Sequence, residues 1–313
     1  MATESEPRYL GGQAVIEGVM MRGERTYAVA VRTESGEIDV DVRDAPSWAQ
    51  RWSKLPLARG VMMLAESLTL GFRALSWSAH KSMPEEEKVS KHALGWSMAV
   101  AMVFFLAIFI VLPAFAARGL DRIIPFDGFW LHVVEGVLRL GLFLGYIILI
   151  GRMAEVRRVF AYHGAEHKAI AAYENDVPLT PDEAQKFTTQ HVRCGTNFLL
   201  TVMVITIVVY SFVGRPGWAV LIASRVLLIP LIAAISYEII RFAARHMQWA
   251  WVRIAMIPGL SLQRLTTREP TLDQLEVAIT SVRAVLTAEQ LAEVEARHAR
   301  PVPRPTPAFR GAL

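Results

Sequence analysis

The sequence predicts a mainly α-helical, polytopic membrane protein with about four transmembrane helices and a small N-terminal β-hairpin element. Three observations carry that fold class. Of 313 residues, 53% are hydrophobic and only 20% are charged, an apolar share above that of an ordinary soluble domain. The apolar residues are bunched into four blocks of membrane-spanning length. The basic residues collect on one side of those blocks. A soluble globular enzyme, a disordered chain and a disulfide-stapled secreted module are therefore poor fits. The single cysteine, Cys194, cannot form an internal disulfide. The net charge of +4 is small for this length and argues against a dedicated nucleic-acid binder.

The opening MATESEPRYLGGQ lacks a basic stretch followed by an apolar one, so no cleavable signal peptide is expected. After GGQAVIEGVMMRGE, the alternating runs YAVAVRT and IDVDVRD flank Glu34-Ser35-Gly36-Glu37 and predict the hairpin. Between Pro56 and Ser78 the spacing of Leu57, Val61, Leu64, Leu68, Phe72 and Leu75 predicts an amphipathic helix on the bilayer or against the spans. Glu66 belongs to its less apolar side. The clearest span, Gly95 to Ala117, has 23 residues and no charge, enough to cross a hydrocarbon core roughly 30 Å thick. Trp130 to Ile150 carries His132, Glu135 and Arg139; Asn197 to Val213 is short; Trp218 to Ile240 is interrupted by Arg225, Pro230 and Glu238. Glu135 with Arg139, and Arg225 with Glu238, are expected to pair at membrane depth, where isolated charges are costly.

Beyond the spans, Arg241 to Ile257 mixes arginines with Trp249 and Trp251 and suits a headgroup-level helix ended by Pro258-Gly259. Thr271 with Gln274 is a capping box opening a helix with Leu272, Leu275, Ile279, Val282 and Leu286 on one face. Thr287 with Gln290 repeats the device for a last, polar helix, and the tail RPVPRPTPAFRGAL reads as extended or disordered. The chain thus divides into a cytoplasmic N-terminal segment (1–94), a four-span membrane domain (95–240) including a 151–196 cytoplasmic loop, a juxtamembrane and helical segment (241–299) and a disordered tail (300–313).

Lysine and arginine number 12 in residues 1–94, 6 in 151–196 and 10 in 241–313, against Arg118, Arg122 and Arg215 on the opposite side. That asymmetry places both termini and the 151–196 loop in the cytoplasm of a multi-pass protein of the cytoplasmic membrane. A lone reduced cysteine suits that compartment.

Chemistry concentrates in the 151–196 loop. In Tyr162-His163-Gly164-Ala165-Glu166-His167-Lys168 the two histidines are four apart, one helical turn, which is the spacing two imidazoles need to share a metal. Glu166 stands beside them as a general base, and H-x-x-E-H is the inverted zinc-protease spacing. Glu174 shares the face of His167 but lies about 10 Å further along the axis. Thr180-Pro181-Asp182-Glu183 opens a second helix, and a helical hairpin would return His191 and Cys194 towards the first pair. Imidazoles with a thiolate suit zinc, or iron, better than magnesium or calcium. The same residues would equally serve as hydrogen-bonded groups at the headgroup level, with Glu166 and Lys168 on a solvated face.

The blocks GGQAVIEGVMMRG (11–23), LARGVMMLAESLTLGFRALSWSA (57–79), YHGAEHKAIAAYE (162–174), HVRCGTNFLL (191–200) and PGLSLQRLTTREP (258–270) give the chain a further meaning. Over nearly its whole length it resembles the YqhQ family of bacterial membrane proteins, a domain of unknown function. The family's usual HPRCGTNF is here HVRCGTNF, with Val192 in place of proline. Members are often labelled predicted metal-dependent enzymes. The resemblance implies that Gln13, Glu17 and Arg22 belong to the same functional surface, with Glu17 a further ligand or base.

The leading expectation is a hydrolase-like, metal-dependent membrane enzyme. His163, His167 and His191 or Cys194 would hold zinc, and Glu166 would be the base. Its partners would be the lipid bilayer and a small-molecule or lipid substrate. The alternatives are a transporter lined by Glu135, Arg139, Arg225 and Glu238, which with four spans per chain would need a homo-oligomer, and a membrane-anchored scaffold with a structural metal.

Overall fold

The computed structural model describes residues 10–82, 91–214 and 217–298; the opening residues, Arg215 and the proline-rich tail expected at 300–313 lie outside them. The expected hairpin is present as β3 (Thr26–Arg32) and β4 (Ile38–Asp44), turning at Gly36 with φ +88°. It is half of a larger sheet. β1 (Gly11–Val15) and β2 (Gly18–Arg22) precede it, giving an antiparallel meander in the order β1-β2-β3-β4. Val15 pairs with Gly18, Met20 with Val29, and Ala30 with Val40. The first two strands escape a composition-based reading because they are five residues long and open on glycine, which strands disfavour.

Both faces of the sheet are covered. On one side Val15, Met20, Tyr27, Val29 and Val31 pack against Leu70 and Ala74 of α2 (Ala58–Ser82), which follows the short α1 (Trp48–Arg51). Glu66 of α2 is fully buried rather than facing solvent: it forms an ion pair with Arg22 of β2 and accepts the Ala49 amide at 3.0 Å. The far side of α2 reaches the apolar helices.

Those begin with α3 (Lys91–Leu106), a π-helical turn at Ala107–Val111 and α4 (Leu112–Asp121), of which Gly95–Asp121 is long and apolar enough to cross a membrane. α5 (Gly128–Ile150) is the second helix of that length and apolar content. Four spans were expected; among the described residues two helices are long and apolar enough, or three if a bent pair counts as one. The pair is α9 (Trp218–Leu227) and α10 (Ile229–Arg245), bent by 41° next to Pro230. α8 (Gly195–Ser211) has 17 residues, about 26 Å of helix, short of a hydrocarbon core roughly 30 Å thick. It starts at Gly195, with Cys194 as its N-cap, and ends at Ser211, two residues short of the expected Val213. The apolar helices support an association with a membrane.

Glu135 accepts from Arg139 one turn away at 2.7 Å, as expected, but Arg225 also binds Glu135, at 2.6 Å, and not Glu238. Glu238 is instead held by Arg59 of α2, whose Nε donates at 2.6 Å. Gly60, next to Arg59, lets α2 approach α10 closely enough that a Cβ there would meet Ala234 Cα at 3.0 Å. Helix-to-helix distance therefore selects the partner of Glu238.

The other face of the sheet is covered by α6 (Ala154–Glu174) and α12 (Leu272–Val285). Val19, Met21, Ala28 and Ala30 meet Tyr162, Ala165 and Ala169 from α6 and Leu275, Ala278 and Val282 from α12. The Thr271–Gln274 capping box forms as expected, and Thr287 with Gln290 opens α13 (Ala288–His298). Leu272 is exposed rather than on the buried face. The helix expected at Arg241 to Ile257 is not continuous. α10 stops at Arg245, and α11 (Ala250–Thr266) carries Pro258 in its interior. Proline there removes one hydrogen bond, and Ile254, whose carbonyl loses that donor, is on the exposed side.

Leu275→Ala, at the junction of sheet, α6 and α12, should cost about 2–5 kcal/mol. Leu272→Ala on the same helix should stay within roughly 0.5 kcal/mol of the parent. Thermal unfolding of the detergent-solubilised chain checks both.

Candidate metal centre

α6 begins three residues after the end of α5, and its sheet-facing side is apolar. His163 and His167 project from another side, with rings 4.5 Å apart. His163 Nδ1 lies 2.9 Å from the carbonyl of Thr266, the last residue of α11. His167 Nδ1 lies 2.5 Å from the carbonyl of Thr189. A carbonyl can only accept, so in each ring Nδ1 carries the hydrogen and Nε2, when the ring is neutral, presents a lone pair. Burial pushes His167 below its ordinary range, which keeps it neutral.

The two Nε2 atoms converge on Cys194. The chain returns through α7 (Pro181–Gln185), shorter than the second helix of the expected hairpin, and a turn that ends at Cys194. Cys194 caps α8, its Sγ accepting the Thr196 amide at 3.4 Å and lying 3.2 Å from His163 Nε2. One donor atom from each of His163, His167 and Cys194 lies within 4.8 Å of the others. His167 Nε2 is buried with no hydrogen-bond partner. A tetrahedral zinc site holds such atoms roughly 3.3–3.8 Å apart, so a contraction of about 1 Å would close the set around an ion. Fixing Nδ1 on a carbonyl so that Nε2 is aimed at the ion is the way metal-bound histidines are oriented. The residues present fit a zinc-like ion.

His191 lies outside this group. Its ring is 5.6 Å from that of His167, and Nε2 is 3.5 Å from a Glu174 oxygen. Glu174 also pairs with Arg193. The His191 backbone is clamped by Gln263 of α11, which accepts its amide and donates to its carbonyl, both at 2.8 Å.

Glu166 and Lys168 are buried, not on a solvated face. The Glu166 carboxyl sits under β1, where a Cβ on Gly12 would come within 2.6 Å of it. Burial raises Glu166 to about 7, against the favourable influence of His163 and the Ala14 amide. Lys168 donates to the Gln185 carbonyl at 2.8 Å and pairs with Glu269. Gly164 has no room for a side chain, because the Arg268 carbonyl crosses directly over it.

The three residues implied by resemblance go to separate places. Gln13 packs against Gly71 of α2, and Arg22 binds Glu66. Glu17, in the turn Ile16-Glu17 with φ +52°, is gripped by Arg158 of α6, whose Nε donates at 2.6 Å. Thr189, Thr266 and Gln263 escaped the sequence reading. The first two act through backbone carbonyls, which carry no side-chain signature. Gln263 stood inside the PGLSLQRLTTREP block with nothing to single it out.

Fold and site together define a mainly helical protein whose apolar helices suggest an association with a membrane and which carries a partly buried His/His/Cys cluster. The chain belongs to the family described as "Protein of unknown function (DUF1385)", whose model matches residues 55–288. It is 32% identical over 311 residues to "Uncharacterized protein YqhQ" of Bacillus subtilis (strain 168), covering 94% of this chain and 97% of that protein. No solved structure matches it.

Glu17 separates two roles by mutation. Its ion pair with an exposed arginine is worth roughly 0–1 kcal/mol, while left-handed backbone costs a non-glycine residue about 1 kcal/mol. Glu17→Gly should therefore melt close to the parent, and Glu17→Ala about 1 kcal/mol below it. Equal losses in both would show that the left-handed backbone at position 17 carries no cost and that the lost ion pair accounts for the change.

Proposed function

We propose that the chain is a multi-pass protein of the cytoplasmic membrane with a cytosol-facing metal site and a hydrolase-like activity. His163, His167 and Cys194 would be the protein ligands of zinc or a similar ion. The observation that carries this is the paired orientation of the imidazoles. Both Nδ1 atoms are committed to backbone carbonyls, and one of the two converging Nε2 atoms is buried with no hydrogen-bond partner. A buried nitrogen lone pair left without a partner costs about 1–3 kcal/mol, which an ion would offset.

Three protein ligands leave a tetrahedral ion one open position, as catalytic zinc sites do. Zinc, when bound, lowers the pKa of a water at that position towards neutrality. Glu166 precedes His167 and lies beside His163, and it would take up the proton released there. To do so its carboxyl would swing out from under β1. The substrate would be a lipid headgroup or a membrane-delivered metabolite, because the ligands sit at the ends of apolar helices. The excess of basic residues in 1–94, 151–196 and 241–313 supports the cytoplasmic placement of these segments.

A second reading, a structural metal, is favoured by one feature. The cluster ties together α6, the Thr189 turn, the start of α8 and the end of α11.

Protein purified in detergent should carry about one zinc equivalent by elemental analysis, lost in His163→Ala and Cys194→Ser. Metal-free protein whose melting ignores chelators would overturn the site. Hydrolysis of model carboxylic and phosphate esters that stops in Glu166→Gln while the zinc stays bound supports the enzyme. Zinc-dependent melting without any hydrolysis supports the scaffold.

A further inference from the structure

The metal cluster accounts for the polar groups of α6 but not for the surface of α5 that leads to it. An open groove of about 630 Å³ runs along α5, between that helix and the π-helical turn. The volume lies within the roughly 300–1,000 Å³ of ligand-binding clefts. Ile108 and Phe109 form one wall, and Leu138 and Leu149 belong to the other. Gly141 and Gly145 lie between them, and a Cβ at either would meet no atom within 4 Å. The groove therefore exists because two side chains are absent from an otherwise apolar face.

One end of the groove meets positive charge. Past Leu149, the amides of Gly151 and Arg152 still bond back to the Ile147 and Leu149 carbonyls, at 2.9 and 3.2 Å. Steps of seven residues, about two turns, stay on one side of a helix. Arg152 thus continues the line of Leu138 and Gly145. Its guanidinium folds onto the end of α5, where Nη1 donates to the Ile148 carbonyl at 3.3 Å. Arg157 follows in the first turn of α6, and both arginines are exposed. Arg158 beside it is taken by Glu17. Neither Arg152 nor Arg157 is paired with a carboxylate among the described residues, although Glu155 stands between them in the chain.

An apolar groove ending at unpaired cations is the complement of an acyl chain joined to a phosphate. We propose that the groove holds an acyl chain of an anionic phospholipid, whose headgroup phosphate is bound by Arg152 and Arg157. Basic residues just outside an apolar helix attract such lipids. A zwitterionic headgroup would bring its own cation to the arginines and gain less. Glycines four apart also serve helix pairing, but a two-fold contact between copies along this groove would set one Arg152 against the other. The lipid would lie beside the three-residue turn that joins α5 to the helix carrying His163 and His167. This proposal rests on the membrane placement given above and shares no residue with the metal ligands.

The test is thermal unfolding of the full chain in detergent micelles containing phosphatidylglycerol, phosphatidylcholine or neither. Phosphatidylglycerol should raise the midpoint by roughly 2–4 °C more than phosphatidylcholine does. Arg152→Gln combined with Arg157→Gln should remove that difference. Gly145→Leu, which fills the groove without touching a charge, should remove it as well. Inorganic phosphate alone should give no rise, because the acyl chain supplies the apolar part of the contact. Equal rises with the two lipids, a full rise with inorganic phosphate, or a preference that survives Gly145→Leu each overturn the proposal. A dimer that Gly145→Leu splits into monomers also overturns it, since a second copy would then fill the groove. Recovery of the chain in the soluble fraction of lysed cells would remove the membrane placement itself, whereas equal rises in a chain that needs detergent leave that placement standing.

Discussion

His163, Glu166, His167 and Lys168 fall within six consecutive positions of one helix, and three of the four are buried. Polar groups withdrawn from water must find partners, and α6 cannot supply them itself, since its backbone is occupied by its own hydrogen bonds. Each partner therefore comes from elsewhere: the Thr266 carbonyl from the end of α11, the Thr189 carbonyl from the turn before α8, the Gln185 carbonyl and Glu269 for the lysine, and β1 over the glutamate. Much of the chain's path follows from meeting these demands. β1 passes over Glu166 only because position 12 is glycine, and the segment after α11 crosses α6 only because position 164 is glycine.

The same demand links the site to the apolar helices. α6 follows α5 after a three-residue turn, Cys194 caps α8, and Thr266 closes α11. A movement of any of these helices would reach the imidazoles through a hydrogen bond or a sulfur contact. On the other face of the sheet, α2 joins the strands to α10 through Glu66 and Arg22 at one point and Arg59 and Glu238 at another. The sheet is thereby braced between a helix that carries the cluster and a helix that leads to the apolar bundle.

Deeper in that bundle, irregular backbone and charge occur together. The π-helical turn offers the Phe109 carbonyl to Arg139, and the bend between α9 and α10 follows Arg225 by a few residues. Regular helices would leave the arginines only side-chain partners. Displaced backbone carbonyls widen the choice, as they do wherever helices break within protein at membrane depth.

Sequence by itself determined the features set by local pattern. The β3–β4 hairpin follows from alternation and a glycine turn, the starts of α12 and α13 from capping boxes, and the two long apolar helices from their length and apolar content. The pairing of His163 with His167 follows from one helical turn, and Glu135 with Arg139 from the same spacing. Family membership was legible in five blocks spread along the chain. Tertiary structure decided what depends on distance between segments. Arg225 of α9 reaches across to Glu135 of α5, while Glu238 turns to Arg59 because Gly60 brings α2 against α10. Cys194 meets His163, whereas His191, three residues earlier, is turned aside by Gln263. Glu66, which the sequence puts on the less apolar side of its helix, and Glu166 and Lys168, for which a solvated face was one of two readings, are buried because partners from remote segments satisfy them. Local pattern fixes which face a residue occupies, and only packing fixes what lies opposite that face.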